Sequence, residues 1–385
     1  MMKKTLILMI VPVALATTAQ AQSSVTLYGL IDAGFSYTNN AGGSHQYQMA
    51  AGNLQGDRWG LRGNEDLGGG LKAVFVLESG FNVFNGKLAQ GGAGFGRQAF
   101  VGLSSNQYGT VTIGRQYDSF QDYVWMYEAA NQFAPYYAAH PGDLDNLNGG
   151  NRINNAIKFN SVSYGGFTFG GLYSLGGIAG DFNRNQLWSV GANYTQGPLS
   201  AGVAFERAQD PNYSLYGTTP SASTTASNMT GSRVYSGYAS AKRQQTFIAG
   251  ATYKIGAATV GAVYSNIQFQ EIGALPGLPA TGAGGDAKFH NAEINFRYQV
   301  SPAFLAGIAY NYTKGYGVND AHYHQAVVGV DYLLSKRTDV YADVIGQHAS
   351  GTDSTGRPAV ANLAFTTAST TANQVVAVVG IRHKF

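Results

Sequence analysis

The stretch NAEINFRYQV, residues 291–300, decides how this chain is read. Successive side chains of an extended backbone point to opposite faces. Here Ala292, Ile294, Phe296, Tyr298 and Val300 take one face, and Asn291, Glu293, Asn295, Arg297 and Gln299 take the other. Ten residues of unbroken alternation predict a β-strand with one apolar and one polar side.

The same period recurs along the chain. Leu71, Ala73, Phe75 and Leu77 oppose Lys72, Val74, Val76 and Glu78. Trp188, Val190, Ala192 and Tyr194 oppose Leu187, Ser189, Gly191 and Asn193. At the end, Val375, Ala377, Val379, Ile381 and Phe385 oppose Gln374, Val376, Arg382 and Lys384. Strands are expected at about 24–38, 54–66, 70–84, 96–105, 109–115, 151–163, 166–176, 186–196, 199–209, 241–254, 258–270, 288–300, 303–314, 321–334, 337–348 and 373–385, roughly sixteen in all.

The connections sort into two kinds. Long ones run 39–53, 85–95, 116–150, 177–185, 210–240, 271–287, 315–320 and 349–372; short ones include Leu67-Gly68-Gly69, Gly165-Gly166, Gly197-Pro198, Ser301-Pro302 and Ser335-Lys336. Long loops on one rim and tight turns on the other mark a membrane barrel, whereas a β-sandwich has no reason to sort them. Hydrocarbon offers no partner to an unpaired backbone group, so a spanning sheet must close on itself. The fold expected is all-β: a transmembrane antiparallel β-barrel of about 16 strands, too wide for side chains to fill and therefore holding water. Polar faces would line that water and apolar faces would meet lipid. Tyr253, Tyr298, Tyr310 and Tyr312, near strand ends, suit aromatic girdles.

Composition agrees and excludes other classes. The chain has 52 glycines, 25 tyrosines and 20 phenylalanines, 12% charged residues and no cysteine. Thiol catalysis, thiolate metal sites and disulfide scaffolds are thereby excluded. Residues 1–21 read as a secretory signal peptide: Lys3 and Lys4, an apolar run from Thr5 to Ala16, and the cleavage site Ala19-Gln20-Ala21. Residues 22–385 are then one barrel domain. Without Lys3 and Lys4 there are 22 basic residues against 21 acidic, about +1, which leaves no electrostatic case for nucleic acid.

One connection stands apart. Residues 116–150, QYDSFQDYVWMYEAANQFAPYYAAHPGDLDNLNGG, are too long for a turn and too aromatic for a disordered linker. They carry Asp118, Asp122, Glu128, Asp143 and Asp145 and no lysine or arginine. The expectation is a loop packed against the barrel with its acids presented to water.

Several segments resemble the general porins of the Gram-negative outer membrane, in particular the β-proteobacterial type. They are SSVTLYGLIDAGF at 23–35, RWGLRGNEDLGGGLKAVFVLESGF at 58–81, GRQAFVGL at 96–103, YGTVTIGRQYD at 108–118, HPGDLDN at 140–146, NRINNAIKFNS at 151–161 and the terminal GIRHKF. The resemblance implies a homotrimer in the outer membrane, in contact with lipid and lipopolysaccharide. Each barrel would pass ions and small hydrophilic solutes, and Phe385 would serve as the barrel-insertion signal. It also implies that the third outer loop, here 116–150, folds into the barrel and sets an acidic side against an arginine cluster. By motif position that cluster is Arg58, Arg97 and Arg152, with Glu78 beside it. Alternation independently turns Arg58, Arg152 and Glu78 inward, but leaves Arg97 open because its neighbour is Gln98. Arg62 and Lys158 share the inward faces, as does Lys72, while Arg115 sits at a strand–loop junction. Among the loop acids Asp118 and Asp122 are the first candidates to face the lumen, then Asp143 and Asp145. The number of inward arginines leans selectivity towards anions.

Other signals have plainer readings. His322 and His324 share a face at i, i+2 spacing but lack a third ligand, so they are read as rim residues. GGAGFG at 91–96 lacks the helix and lysine of a phosphate loop. The loop acids lack the spacing of a calcium loop. The Ser/Thr-rich stretch 218–232 reads as a mobile surface loop. No metal or cofactor is expected. A barrel enzyme would need a serine–histidine or acid–histidine set at one rim, and none assembles from the sequence. A substrate-specific channel or an adhesin would differ mainly in its loops.

Overall fold

A computed structural model describes residues 24–385; the signal peptide expected at 1–21 lies outside the described residues. Seventeen strand segments form one antiparallel sheet. They are β1 (Ser24–Ala41), β2 (Ser44–Ala51), β3 (Arg58–Gly68), β4 (Leu71–Gly80), β5 (Gln98–Ser105), β6 (Gly109–Gln116), β7 (Ile153–Ser161), β8 (Phe167–Ser174) and β9 (Leu187–Gln196). Next come β10 (Leu199–Gln209), β11 (Arg243–Ile255), β12 (Ala258–Gln270), β13 (Ala287–Ser301), β14 (Phe304–Gly317), β15 (His322–Leu333), β16 (Thr338–Ser350) and β17 (Asn373–Lys384). From β3 onward each strand pairs with the next, and β17 pairs back onto β1 from Leu30↔Lys384 to Thr38↔Val376. The sheet is closed and leaves no free edge.

Seventeen segments make sixteen barrel positions, because β2 and β3 are two halves of one strand. Both run antiparallel to β1, β2 against Ala33–Ala41 and β3 against Ser24–Leu30. This corrects the expectation of a long loop at 39–53. The chain instead turns at Gly42 and Gly43, whose φ of +64° and +102° suit glycine, and returns as a strand with Tyr47 and Met49 outward. The interruption at 52–57 is held by two carboxylates: Asp32 accepts from the Leu54 and Gln55 amides at 2.7 and 2.9 Å, and Asp57 accepts from the Asp32 amide at 2.7 Å.

The two faces follow the alternation. On β13, Ala292, Ile294, Phe296 and Tyr298 are exposed on the outside, while Asn291, Glu293 and Asn295 are buried inside. The outer belt carries many exposed apolar side chains, among them Val101, Leu103, Ile113, Val203, Ile308 and Val328. Tyr253, Tyr298 and Tyr310 also face outward. Part of the inner face departs from expectation, since Ile248, Val263, Val327, Ile345 and Val376 are apolar and buried. Residues 117–152 explain them, because that loop crosses the lumen and packs on this side of the wall.

The outer loops also fold inward. Met229, Val234 and Tyr238 are buried together with Leu144 of the inner loop and Phe269 and Phe289 of the wall. Within the stretch 218–232, Thr218 and Met229 are thus buried, while exposed residues run between Pro220 and Ala226 and recur at Thr230 and Gly231.

Candidate pore constriction

The inner loop is built to stand without lysine or arginine of its own. It starts with helix α1 (Ser119–Tyr123), capped by Asp118, whose Oδ1 accepts from the Phe120 and Gln121 amides at 3.0 and 3.2 Å. Asn146 Nδ2 donates to the other Asp118 oxygen at 2.6 Å. Asp143 accepts from the Asn148 and Gly150 amides at 3.1 and 3.3 Å. Asp145 accepts from Ser265 Oγ at 2.6 Å and lies 2.7 Å from His140 Nδ1.

These contacts correct the expectation that the acids face water. Asp118, Glu128 and Asp145 are fully buried, and Asp143 points back into the loop's own fold. The physical reason is that a long loop inside a barrel must satisfy many backbone amides, and buried donors need acceptors. Burial pushes the Asp118 carboxyl up to about 6 and the Asp143 carboxyl up to about 7. Asp122 is the exception, its side chain partly exposed and its Oδ2 2.8 Å from Lys158 Nζ.

The loop is tied to the far wall by its backbone. The Ala129 amide donates to Glu293 Oε1 at 2.8 Å, and Gln325 Nε2 donates to the Ala138 and Ala139 carbonyls at 2.8 and 2.9 Å. The Tyr136 amide donates to the Asn53 carbonyl at 2.7 Å. Glycines on the wall make room. A Cβ at Gly250 would lie 2.7 Å from Cδ2 of Tyr127, and one at Gly307 would lie 2.5 Å from the Phe133 ring.

A cavity of about 560 Å³ lies between loop and wall. Arg58, Glu78, Arg97, Asp331, Arg382 and Lys384 line it from the wall, and Asp122, Trp125, Asn131 and Gln132 from the loop. Glu78 accepts from Arg97 Nε at 2.8 Å and from the Tyr28 hydroxyl at 3.0 Å, with Arg58 Nε 3.9 Å away. Arg382 pairs with Asp331 at 3.3 Å and Asp339 at 3.1 Å. Towards the long-loop rim, a second cavity of about 300 Å³ shares Arg97, Tyr136 and Asn148 with the first and adds Arg152. Towards the turn rim, a third of about 480 Å³ shares Gln98 and Asp122 and adds Arg62 and Lys158.

The remaining site candidates lie elsewhere. Arg115 donates to the Gly96 carbonyl at 2.9 Å and to Asn154 and the Thr218 carbonyl, so it ties loops together. Lys72 lies opposite Asp66 near the turn rim. Arg62 sits over the Tyr28 ring, 5.1 Å from its centroid. Sequence reading missed Tyr117, whose hydroxyl accepts from Arg97 Nη2 at 2.8 Å and Arg152 Nη2 at 2.9 Å. Burial raises its pKa, but the Arg152 and Arg97 guanidiniums outweigh it and hold the phenol below its usual range. Nothing separated Tyr117 from the other aromatics of the stretch. Arg382 and Lys384 were legible as polar-face residues, but their height in the barrel depends on the β1–β17 closure.

A closed antiparallel barrel with an apolar belt and a loop strapped across its lumen is an outer-membrane channel protein. Comparison with known proteins makes the family specific. The Gram-negative porin model matches residues 7–352, and the chain belongs to that family of outer-membrane channels rather than enzymes. An outer membrane porin of Bordetella pertussis is 36% identical over 242 residues, covering 56% of this chain and 62% of the relative, under two thirds of its length. Outer membrane porin protein 32 of Delftia acidovorans is 29% identical over 356 residues, 89% of each chain. Major outer membrane protein P.IB of Neisseria meningitidis is 30% identical over 271 residues, 58% of this chain and 77% of the relative. Among solved structures, an anion-selective porin from Comamonas acidovorans superposes with a TM-score of 0.73 at 24% identity, covering 94% of this chain and 100% of that one. OmpT of Vibrio cholerae, described in a trimer form, gives 0.62 at 14% identity, covering 94% and 99%.

Proposed function

We propose that this chain forms a homotrimeric outer-membrane pore for passive diffusion of ions and small hydrophilic solutes, with its constriction between residues 117–150 and the wall carrying Arg58, Glu78, Arg97 and Arg152. The observation that carries this reading is the cavity between loop and wall, where Arg58, Arg97 and Lys384 stand on one side and Asp122 on the other. Two further cavities share residues with it in the direction of each rim, which supports one path from rim to rim.

Arginine stays ionised at any relevant pH. The cavity's side chains set four cations, Arg58, Arg97, Arg382 and Lys384, against three acids, Glu78, Asp122 and Asp331, and Lys158 beside it offsets Asp122, so their surplus is small and positive. A transverse field of that sign orients polar solutes, disfavours apolar ones and favours anions, without requiring tight binding. The Comamonas acidovorans neighbour is named as anion-selective, and the Vibrio cholerae neighbour is described as a trimer; both accord with this reading.

The test is the reversal potential in a salt gradient across a planar bilayer. Replacing Arg58 and Lys384 by serine lowers the anion-to-cation permeability ratio by roughly twofold or more. An unchanged ratio removes these residues from the selectivity-setting region.

A further inference from the structure

His140 lies between the inner loop and the wall, fully buried, with three carboxylates around it. Its Nδ1 is 2.7 Å from Asp145 Oδ2. An ionised carboxylate only accepts, so this contact keeps a proton on Nδ1 and directs the Nε2 lone pair the other way. Nε2 makes no hydrogen bond of sound geometry, although it is buried. It faces Glu293 Oε2 at 3.4 Å and Glu128 Oε1 at 3.9 Å, and the three atoms lie within 4.8 Å of one another.

The remaining oxygens are already engaged. Glu293 Oε1 accepts from the Ala129 amide at 2.8 Å and Asn295 Nδ2 at 2.7 Å. Glu128 Oε2 accepts from Asn131 and Asn148 Nδ2 at 2.9 and 2.7 Å, and its Oε1 from the His140 amide at 3.1 Å.

We propose that Glu128, His140 and Glu293 form a divalent-metal site of the zinc class that clamps the inner loop to β13. One imidazole nitrogen and two carboxylate oxygens are a donor set zinc accepts, at bond lengths near 2.0–2.1 Å; a tetrahedron of that size has edges of about 3.3 Å. The 3.4 Å separation meets it almost as it stands, and the 3.9 Å separation and the gap between the two carboxylate oxygens, within 4.8 Å, would close on a bound ion. The Asp145–His140 contact is the outer-shell arrangement that orients metal-bound histidines. Charge argues the same way, because three buried carboxylates surround one imidazole and residues 116–150 contain no lysine or arginine. Sequence spacing conceals the set: two ligands are twelve positions apart in a loop and the third is on a distant strand. The inference does not depend on what the pore passes.

The experiment is to unfold the full mature chain in urea and refold it into detergent with Co²⁺, with Zn²⁺, or with a chelator alone. The expected result is one Co²⁺ per chain by elemental analysis, with visible d–d absorption of tetrahedral intensity that Zn²⁺ abolishes by competition. The thermal midpoint should be higher with Zn²⁺ than with chelator. His140→Gln should lose the absorption; if that variant does not fold, Glu293→Gln serves, and the stoichiometry of the unmodified chain decides by itself. Full binding by His140→Gln would assign the metal elsewhere and overturn the proposal. So would a metal-free unmodified chain with the same midpoint in Zn²⁺ and chelator, which would leave His140 as a doubly protonated ion-pair partner.

Discussion

Asp118 faces away from the pore, and what it does there is measurable. It caps α1 from a buried position, with Glu206 of β10, Asp122 and Lys158 acting on it. Burial raises its pKa from 3.8 to about 6. The folded chain therefore binds this proton more tightly than the unfolded chain, so this group's contribution to stability is greatest below pH 4, falls as pH rises, and levels off above about 6, a change on the order of 3 kcal/mol. Asp118→Asn keeps an oxygen for the two amides and flattens that slope, which urea midpoints of the refolded protein between pH 3.5 and 7 can follow. An equally steep slope in the variant would mean that Asp118 does not carry it. At this scale the sequence showed parity and little more. Alternation turned Arg58, Glu78 and Lys158 inward, and all three line the cavities there. Beyond the strands, position in the loop cannot tell an acid that faces water from one that faces backbone amides, and the expectation that Asp118 and Asp145 face the lumen rested on that position alone.

At the scale of elements, the inner loop is held by shape as much as by hydrogen bonds. Tyr123 and Tyr127 sit against wall strands where Gly202 and Gly250 leave their places open. Gly250→Val puts branched carbons into the Tyr127 ring, and overpacking of this kind costs about 1–3 kcal/mol. The barrel itself is fixed by its ladder, so the loop is what gives way. The predicted outcome is a folded, membrane-inserting variant with altered single-channel conductance; conductance equal to that of the unmodified chain would show that the loop does not limit the path. Strand placement was legible because period two persists through β4, β9, β13 and β17. Ser44–Ala51 was not, because Tyr47 and Met49 alone mark its outer face and the glycine pair before it reads equally well as part of a loop. The packing of residues 210–242 was also hidden. Met229, Val234 and Tyr238 are spread among serines and threonines, and their burial comes from contacts with Phe269 and Phe289 on distant strands.

The molecule as a whole solves one problem in two directions. Closure between β1 and β17 satisfies the backbone where lipid offers no partners, and alternation then gives every strand a lipid side and a lumen side. The loop packs against lumen-facing side chains from β10 round to β17 and leaves a cavity bounded by β1, β3–β5 and the ends of β15 and β17, where the arginines and Lys384 stand. If that account is right, a narrow aqueous path crosses the protein. Single-channel recording of the purified mature protein in a planar bilayer tests this most directly. The account predicts discrete openings that arrive in groups of three, with an ohmic current that rises with salt concentration. Protein that inserts into the bilayer yet passes no current would contradict it.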